Sequence, residues 1–289
     1  MTTRVAYLGP AGTNSHEALV AAAAAAGTAC EPVSMATIYD CVMAVHEGTT
    51  ERAFVPIENA LEGAVNATLD ALAVETDDVA IVGEHVHAIH TCLIAKRQIA
   101  LDAVAAVVSH PQSIGQCAHF LRTRLPQATV LAASSTAEAV RRVAEEDGTS
   151  AALGSRTAAE LYGCEVLCAD VDDAAGNETR FVWLARRDAP ETVADARPSP
   201  AAGPFKTAVV FWGVGAEAPG WLVRCLSEFA SRGVNLTRIE SRPRKQGLGR
   251  YMFFADLEGG VSEGPVAAAL EALRGHVEHL RVLGSFPAA

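Results

Sequence analysis

The sequence predicts an α/β protein of two parts, and three observations support this prediction. Strand-like and helix-like segments alternate through residues 1–185, which is the order found in α/β sheets. A proline-rich stretch without apolar periodicity follows over residues 186–205. Beyond it, the order strand, helix, strand, strand, helix, strand is that of a small ferredoxin-like domain. We therefore expect a first domain over residues 1–185, a linker over 186–205 and a second domain over 206–289.

The elements of the first part follow from apolar periodicity and from glycines that end helices. The predicted strands cover residues 4–9, 52–57, 79–95, 104–110, 129–134, 150–154, 164–171 and 180–186. The predicted helices cover residues 15–27, 37–48, 64–73, 113–125, 135–148 and 156–163. Because strands and helices alternate, we expect largely parallel sheets, whose ligands bind where the carboxyl ends of strands meet helix N-termini.

The second part shows the same signals in a different order. The predicted strands cover residues 207–213, 234–243, 249–259 and 278–286, and the predicted helices cover 219–233 and 266–276. No other repeat is visible in the sequence.

Composition excludes several classes of protein. Half of the 289 residues are hydrophobic, which excludes a disordered chain, and the net charge of -11 argues against a nucleic-acid partner. The seven cysteines form no CxxC pair, so we expect reduced thiols in a cytoplasmic protein. The N-terminus lacks the apolar core of a signal peptide, and no apolar run has membrane-spanning length.

Polar residues stand at three strand-to-helix junctions of the first part. Thr13 and Ser15 follow the first strand, where backbone N–H groups and hydroxyls favour an anion, although an ordinary capped turn explains them too. Glu58 and Asn59 follow another strand and suit a turn or the orientation of a ligand.

The third junction carries Ser109, His110 and Gln116. His110 is a possible catalytic base, but no nucleophile accompanies it in the sequence, so we favour a histidine in a turn. The nearby His85 and His87 share one strand face while His90 lies on the other, so we expect no metal site.

Thr179, Arg180 and Phe181 open the last strand of the first part. A threonine could donate a hydrogen bond to a leaving oxygen, an arginine fork suits a carboxylate, and a phenylalanine could form an apolar wall. A surface pair at a strand start is the alternative interpretation of Thr179 and Arg180.

Five ordered motifs together resemble the prephenate dehydratase family over nearly the whole chain. They are "YLGPAGTNSHEAL", "VPIENALEGAVNATLDAL", "SHPQSIGQC", "GNETRF" and "NLTRIESRP". The resemblance implies a two-lobed catalytic region similar in shape to periplasmic binding proteins, followed by an ACT domain that binds L-phenylalanine. It implies the conversion of prephenate to phenylpyruvate with loss of water and carbon dioxide, with no metal and no organic cofactor.

The resemblance also assigns roles to residues. It implies that Thr179 is essential and that Glu58, Asn59, Ser109 and Gln116 serve catalysis or substrate placement. We expect Thr179, supported by Gln116 or Ser109, to donate a hydrogen bond to the departing hydroxyl. We expect substrate binding by Thr13, Ser15, Arg180 and Phe181, with Arg180 holding the pyruvyl carboxylate, because a tight cation on the departing carboxylate would favour the ground state.

In the family the second domain holds L-phenylalanine at an interface between two ACT domains. The matching residues here are Gly220, Leu222, Asn235, Glu240, Ser241 and Arg242. We therefore expect feedback inhibition by L-phenylalanine and a homodimer or homotetramer assembled through these domains.

Three departures from the family pattern and two alternatives stay open. Asn14 replaces a usual phenylalanine, Ala60 a frequent serine, and Trp221 a usual alanine, which affects the pocket and the effector site. The alternatives are an arogenate dehydratase, which would need a cleft acid facing the substrate amine, and a non-catalytic amino-acid sensor. Glu58 is the residue that could be such an acid.

Overall fold

The computed structural model describes residues 2–146, 148–189, 204–213, 215 and 218–289. It contains two sheets, and the strands of a C-terminal α/β unit belong to the larger one. Most of the predicted linker, residues 190–203, lies outside the described residues. The strands, numbered along the chain, are β1 (Thr3–Leu8), β2 (Cys30–Met35), β3 (Arg52–Asn59), β4 (Gly63–Ala64), β5 (Val79–Ala88), β6 (Cys92–Ala95), β7 (Ala106–Ser109), β8 (Thr129–Ala132), β9 (Ser150–Gly154), β10 (Glu165–Cys168), β11 (Glu178–Arg186), β12 (Phe205–Trp212), β13 (Leu236–Pro243), β14 (Tyr251–Glu258) and β15 (His279–Pro287).

Helices connect these strands, and four of them begin at a serine or threonine cap. They are α1 (Asn14–Ala25), α2 (Ile38–His46), α3 (Asn66–Asp70), α4 (Pro111–Gln116), α5 (Ala118–Arg124), α6 (Thr136–Glu145), α7 (Arg156–Tyr162), α8 (Trp221–Ala230) and α9 (Gly264–Arg274). Thr13, Thr37, Ser135 and Ser155 each accept a backbone N–H bond as N-caps. The helix predicted over 113–125 is instead two short helices, because Cys117 leaves helical geometry between α4 and α5.

The first lobe, which consists of β1–β5 with their helices and the returning strand β11, contains a mixed sheet, not the largely parallel one that alternation predicts. β1 pairs in parallel with β2 and β3, whereas β11 runs antiparallel between β3 and β5. The returning strand β11 causes this difference, because it enters from the second lobe and fills the space between two strands that precede it in the chain. β2 and β4 have no counterpart in the sequence prediction.

The second lobe contains the sheet β10-β6-β9-β7-β8 with its own two packed cores. Two connections join the lobes, one from β5 to β6 and one from β10 to β11. The carboxyl ends of β1 and β3 in the first lobe and of β7 and β8 in the second therefore lead into the space between the lobes.

The C-terminal unit has the predicted βαββαβ order, with an antiparallel sheet ordered β13-β14-β12-β15. α8 and α9 pack on one face, and Met252, Phe254 and Phe286 on the other face join the core of the first lobe. β15 meets β5 at Gly284, where a Cβ would collide with the carbonyl of Ile81. The glycine therefore permits the close pairing of β15 with β5, which joins the C-terminal strands and those of the first lobe in one ten-stranded sheet.

No helix among the described residues is long and apolar enough to cross a membrane.

Candidate functional site

The space between the lobes holds a cavity of about 400 Å³. The first lobe lines it from the turn after β1, from β3 and from β11, and the second lobe lines it from the starts of α4 and α6. The lining residues are Leu8, Gly9, Thr13, Asn14, Ser15, Ala36, Pro56, Asn59, Val65, Ile89, His110, Gln112, Ser113, Gln116, Ser134, Ser135, Thr136, Asn177, Thr179 and Phe181. This volume suits a small-molecule ligand.

Thr179 and Asn59 form the polar centre of the cleft wall. The Asn59 Nδ2 group donates to Thr179 Oγ1 at 2.9 Å, to the Glu178 carbonyl at 3.1 Å and to Asn177 Oδ1 at 2.9 Å. Its Oδ1 atom accepts the backbone N–H groups of Leu61 and Glu62, both at 3.0 Å. Because a backbone N–H can only donate and a carbonyl can only accept, these contacts establish the orientation of the amide.

The direction of the Asn59–Thr179 bond decides what the hydroxyl can do. The Thr179 oxygen accepts the amide N–H, so its own hydrogen remains free to point toward a ligand. A hydroxyl that accepts a hydrogen bond also becomes a better donor, since neighbouring bonds polarise each other. Thr179 is only 9% exposed, so this donor acts from a largely dry wall.

Phe181 forms the apolar part of the same wall. Its ring stacks on Phe54 at a centroid distance of 4.9 Å, and Trp183 packs against Phe54 from the next position on this face. Residues 179, 181 and 183 alternate along β11, so the face that carries the Thr179 hydroxyl also carries this aromatic stack.

Arg180 does not face the cleft, contrary to our expectation. Strand alternation turns its side chain to the other face of β11, where Nε donates to Glu84 at 2.6 Å and Nη1 to Asp256 at 2.5 Å. Glu58 lies on the same face, with an oxygen 3.6 Å from Arg180 Nη1. Arg180 is thus not placed to hold a substrate carboxylate, nor Glu58 to face a ligand in the cavity.

Ser109 is also absent from the cavity wall. It is fully buried at the end of β7, and its Oγ donates to the Leu153 carbonyl of the neighbouring strand β9 at 2.8 Å. The hydroxyl therefore serves the sheet of the second lobe in this geometry.

Gln116 does line the cavity, and its Nε2 donates to Glu62 Oε1 at 3.3 Å. Glu62 belongs to the turn that Asn59 holds, so this bond links the two lobes across the cleft. Gln116 and Asn59 thereby contact the same turn from opposite sides.

Thr13 and Ser15 lie at the start of α1 as the sequence predicted. The Thr13 hydroxyl donates to the Leu8 and Pro10 carbonyls at 3.1 and 3.0 Å, so the turn itself occupies it. Ser15 is 7% exposed and lines the cavity, and no hydrogen bond of its hydroxyl is present among the described residues. Ser15 is therefore the freer donor of the two.

Several lining residues were not singled out from the sequence. They are Asn177 in the connection to β11, Gln112 and Ser113 in α4, and Ser134, Ser135 and Thr136 at the start of α6. Helix-capping patterns were their only signal, and such patterns occur at helices without ligands. His110 also lines the wall, where its Nδ1 accepts the Gln112 N–H at 3.3 Å, which leaves Nε2 to carry the ring proton.

The wall of the cavity carries no Lys, Arg, Asp or Glu among its described lining residues. Donors come instead from hydroxyls, amides and the N-termini of α1 and α6. Such groups bind anions through oriented dipoles.

The histidines noted in the sequence do not form a ligand cluster, and no group of three potential metal ligands occurs in the described part of the chain. The rings of His85 and His87 lie 6.0 Å apart, and burial lowers the pKa of both. His90 instead pairs with Asp170 at 2.8 Å.

The six residues proposed for an effector site do not meet within one chain. Gly220 and Leu222 lie at the start of α8, whereas Asn235 follows its end, and the 10 residues of this helix span about 15 Å. Along β13, Glu240 and Arg242 face the first lobe and Ser241 the opposite side. Arg242 there pairs with Asp70 of α3 at 3.0 Å.

Prephenate dehydratases are among the relatives of this chain both by sequence and by structure. Residues 5–189 match the family described as Prephenate dehydratase. A prephenate dehydratase of Corynebacterium glutamicum is 40% identical over 288 residues, covering 99% of this chain and 88% of the relative. A bifunctional chorismate mutase/prephenate dehydratase of Neisseria gonorrhoeae is 35% identical over 286 residues, covering 99% and 74%.

Solved structures with the same fold include a prephenate dehydratase from Arthrobacter aurescens in complex with L-Phe. It has a TM-score of 0.85 and 34% identity, covering 98% of this chain and 89% of that one. A protein described as GqqA, a novel type of quorum quenching acylase, has a TM-score of 0.82 and 30% identity, covering 99% and 98%.

Proposed function

Because the chain belongs to the prephenate dehydratase family, we propose that the cleft between its lobes converts prephenate to phenylpyruvate. The reaction releases water and carbon dioxide, so the enzyme is a carbon–oxygen lyase acting in L-phenylalanine biosynthesis. The observation that carries the proposal is the hydrogen bond from Asn59 to Thr179 Oγ1, which leaves the threonine hydrogen free to donate.

The reaction requires a hydrogen-bond donor at the ring hydroxyl of prephenate. As the carbon–oxygen bond breaks, the departing oxygen gains negative charge, and Thr179 donates to it most strongly at that point. The electrons of the breaking carboxylate bond form the aromatic ring, carbon dioxide leaves, and the departing hydroxide takes up one proton from solvent to become water. One placed donor of this kind contributes roughly 10²- to 10³-fold in rate.

The substrate is a dianion, and the cleft binds it without a fixed cation. We assign the binding of the retained pyruvyl carboxylate to the hydroxyl groups of Ser15 and Ser113. Both residues are about nine-tenths buried and lie next to helix starts. A cation beside the departing carboxylate would favour the bound substrate over the transition state. A wall with no Lys or Arg among its described residues leaves that carboxylate free to depart.

The same set of lining residues favours prephenate over arogenate as the substrate. Arogenate carries an ammonium group, which a cleft carboxylate would recognise, and no Asp or Glu lines the described wall. Glu58, which the sequence offered for this role, instead lies near Arg180 on the far face of the sheet.

An acylase activity, as described for GqqA, is less well supported by the geometry. A nucleophilic hydroxyl needs a base that accepts its proton. Among the described residues, Thr179 Oγ1 accepts a hydrogen bond from Asn59. This arrangement suits a hydroxyl that acts as a hydrogen-bond donor to the ligand.

For the C-terminal unit we propose an ACT regulatory domain over residues 206–289 that binds L-phenylalanine and assembles homodimers or homotetramers. Its strand order and the L-Phe complex of the Arthrobacter relative support this assignment. Gly220 and Asn235 lie at opposite ends of α8, so a site using both takes one of them from a second copy. We place the enzyme in the cytoplasm, where its free thiols stay reduced.

The test is to incubate the purified chain separately with prephenate and with arogenate and to measure phenylpyruvate and phenylalanine. We expect phenylpyruvate from prephenate and a loss of roughly 10²-fold or more in kcat for Thr179→Val. Thr179→Ser, which keeps the hydroxyl, serves as the matched control and should retain most of the activity. Full turnover by a folded Thr179→Val variant would contradict the assignment.

A further inference from the structure

A buried cluster of ion pairs lies on the face of β11 opposite the cleft. Arg180 binds Glu84 and Asp256, and Arg238 of β13 also binds the same Asp256 Oδ2 atom at 3.1 Å. Lys206 of β12 pairs with Glu84 at 2.7 Å. The side chains of Glu84 and Asp256 are 2% and 1% exposed, so these pairs are shielded from solvent.

Within this cluster Arg180 and Asp256 hold each other in their ionised forms. Burial disfavours the charge of Arg180, but Asp256 and Glu84 outweigh it and raise the pKa of Arg180. Burial likewise opposes the charge of Asp256, and Arg180 and Arg238 outweigh it to lower the pKa of Asp256. The charges of Arg180 and Asp256 thus depend on each other across the two parts of the chain.

The cluster connects the cleft to the C-terminal unit through a short path. Arg180 directly follows Thr179, and the pairing of β11 with β3 shifts register between Arg180 and Phe181. At this shift the ladder to β3 is interrupted while the pairing with β5 continues, so a side-chain anchor adds to what sets the backbone position. The anchor here comes from Asp256 on β14, a strand of the C-terminal unit.

Stability alone is a poor explanation for this arrangement. Arg180 Nη2, Arg238 Nη1 and Asp256 Oδ1 are buried and have no hydrogen-bond partner among the described residues. Buried ion pairs with unsatisfied atoms are often no more stable than apolar side chains of the same volume. Because both arginines share Asp256 Oδ2, a movement of β13 that favours Arg238 weakens the hold on Arg180.

We propose that Arg180 is a positioning residue, which holds Thr179 in the cleft wall through its ion pair with Asp256 and so ties that position to the C-terminal unit. The kinetic part of this inference rests on the proposed dehydratase function, whereas the position of Thr179 can be measured without it.

The test compares three full-length variants with the unaltered chain. Asp256→Asn removes the carboxylate charge that holds Arg180. Asp256→Asn with Arg238→Met also removes the excess positive charge, which guards against misfolding of the single variant. Asp70→Asn is the matched control, since it breaks the Arg242–Asp70 pair across the same interface without contacting β11.

Two measurements are made on each variant: kcat and KM for prephenate, and the methyl signal of Thr179 in protein labelled at threonine methyl groups. Thr179→Val identifies that signal. We expect both Asp256 variants to shift it and to lower kcat at least about tenfold with little change in KM, as small misplacements of a catalytic group do. Asp70→Asn should leave the signal and kcat unchanged.

Three results would overturn the proposal. They are an unchanged Thr179 signal and kcat in the Asp256 variants, a return of kcat to normal in the double variant, and an equal loss in Asp70→Asn. If the unaltered chain does not act on prephenate, the proposed function fails, and the methyl signal still decides whether Asp256 positions Thr179.

Discussion

Replacement of Asn59 by aspartate tests the direction of the bond on which the proposed mechanism depends. The two side chains have nearly the same shape, and an aspartate still accepts the N–H groups of Leu61 and Glu62. The change replaces the amide donor that faces Thr179, the Glu178 carbonyl and Asn177 Oδ1 by an oxygen that can only accept. The Thr179 hydroxyl then turns its hydrogen toward residue 59 and away from the cleft.

The expected loss of rate follows from the strength of that reversed bond. A hydrogen bond to a charged group contributes about 1.5–3 kcal/mol, and it must break before Thr179 can donate to the departing oxygen. Since each 1.36 kcal/mol of added barrier is about tenfold in rate, kcat should fall roughly 10- to 150-fold.

The assay follows phenylpyruvate formation from prephenate, with circular dichroism to confirm that the variant is folded. Asn59→Asp added to Thr179→Val should lower kcat no further, because the amide acts through the hydroxyl that Thr179→Val lacks. A kcat for Asn59→Asp within about threefold of the unaltered enzyme would refute the reasoning, as would full additivity in the double variant.

Three further predictions concern other parts of the chain. Gly284→Ala should lower the free energy of unfolding by about 1–3 kcal/mol in denaturant titrations, because its Cβ meets the Ile81 carbonyl; an unchanged midpoint would argue against a close pairing of β15 with β5. Burial lowers the pKa of His16, whose Nδ1 accepts the Gly12 N–H. The contribution of neutral His16 to the free energy of unfolding is therefore fully present above its ordinary pKa of about 6.5 and is lost as pH falls through the lowered value. His16→Gln should therefore flatten stability against pH below 6.5, and an identical pH profile would contradict this. Asn235→Ala should weaken L-phenylalanine binding roughly tenfold by calorimetry, and unaltered affinity would remove this residue from the effector site.

Much of the fold could be predicted because it depends on local patterns. Apolar periodicity identified most helices and strands, and the βαββαβ order of the C-terminal unit is present in the structure. The short strand β2 was missed because "CEPVSM" contains a proline and polar residues, and it is stabilised by pairing with β1 at the sheet edge. The mixed character of the first sheet depends on where β11 inserts, which no local pattern encodes.

The cleft was predictable in part for the same reason. Thr179, Asn59, Gln116 and Ser15 stand at element junctions that the sequence marks, and all four line the cavity. Ser109 carries an equally good junction signal, yet its hydroxyl bonds within its own sheet. Junction patterns show where a chain turns, but they do not show on which side of the turn a side chain lies.

The sequence by itself determined the strand that carries Thr179 and Arg180, and alternation along it puts the two side chains on opposite faces, although we expected both at the substrate. It did not determine which side is the cleft, since both faces of β11 are covered. Only the tertiary structure shows the second lobe opposite Thr179 and the C-terminal unit on Arg180, where Asp256 supplies the countercharge from 76 residues further along the chain. Long-range packing decides which partner each face meets, and a planar arginine fork suits a protein carboxylate as well as a ligand carboxylate.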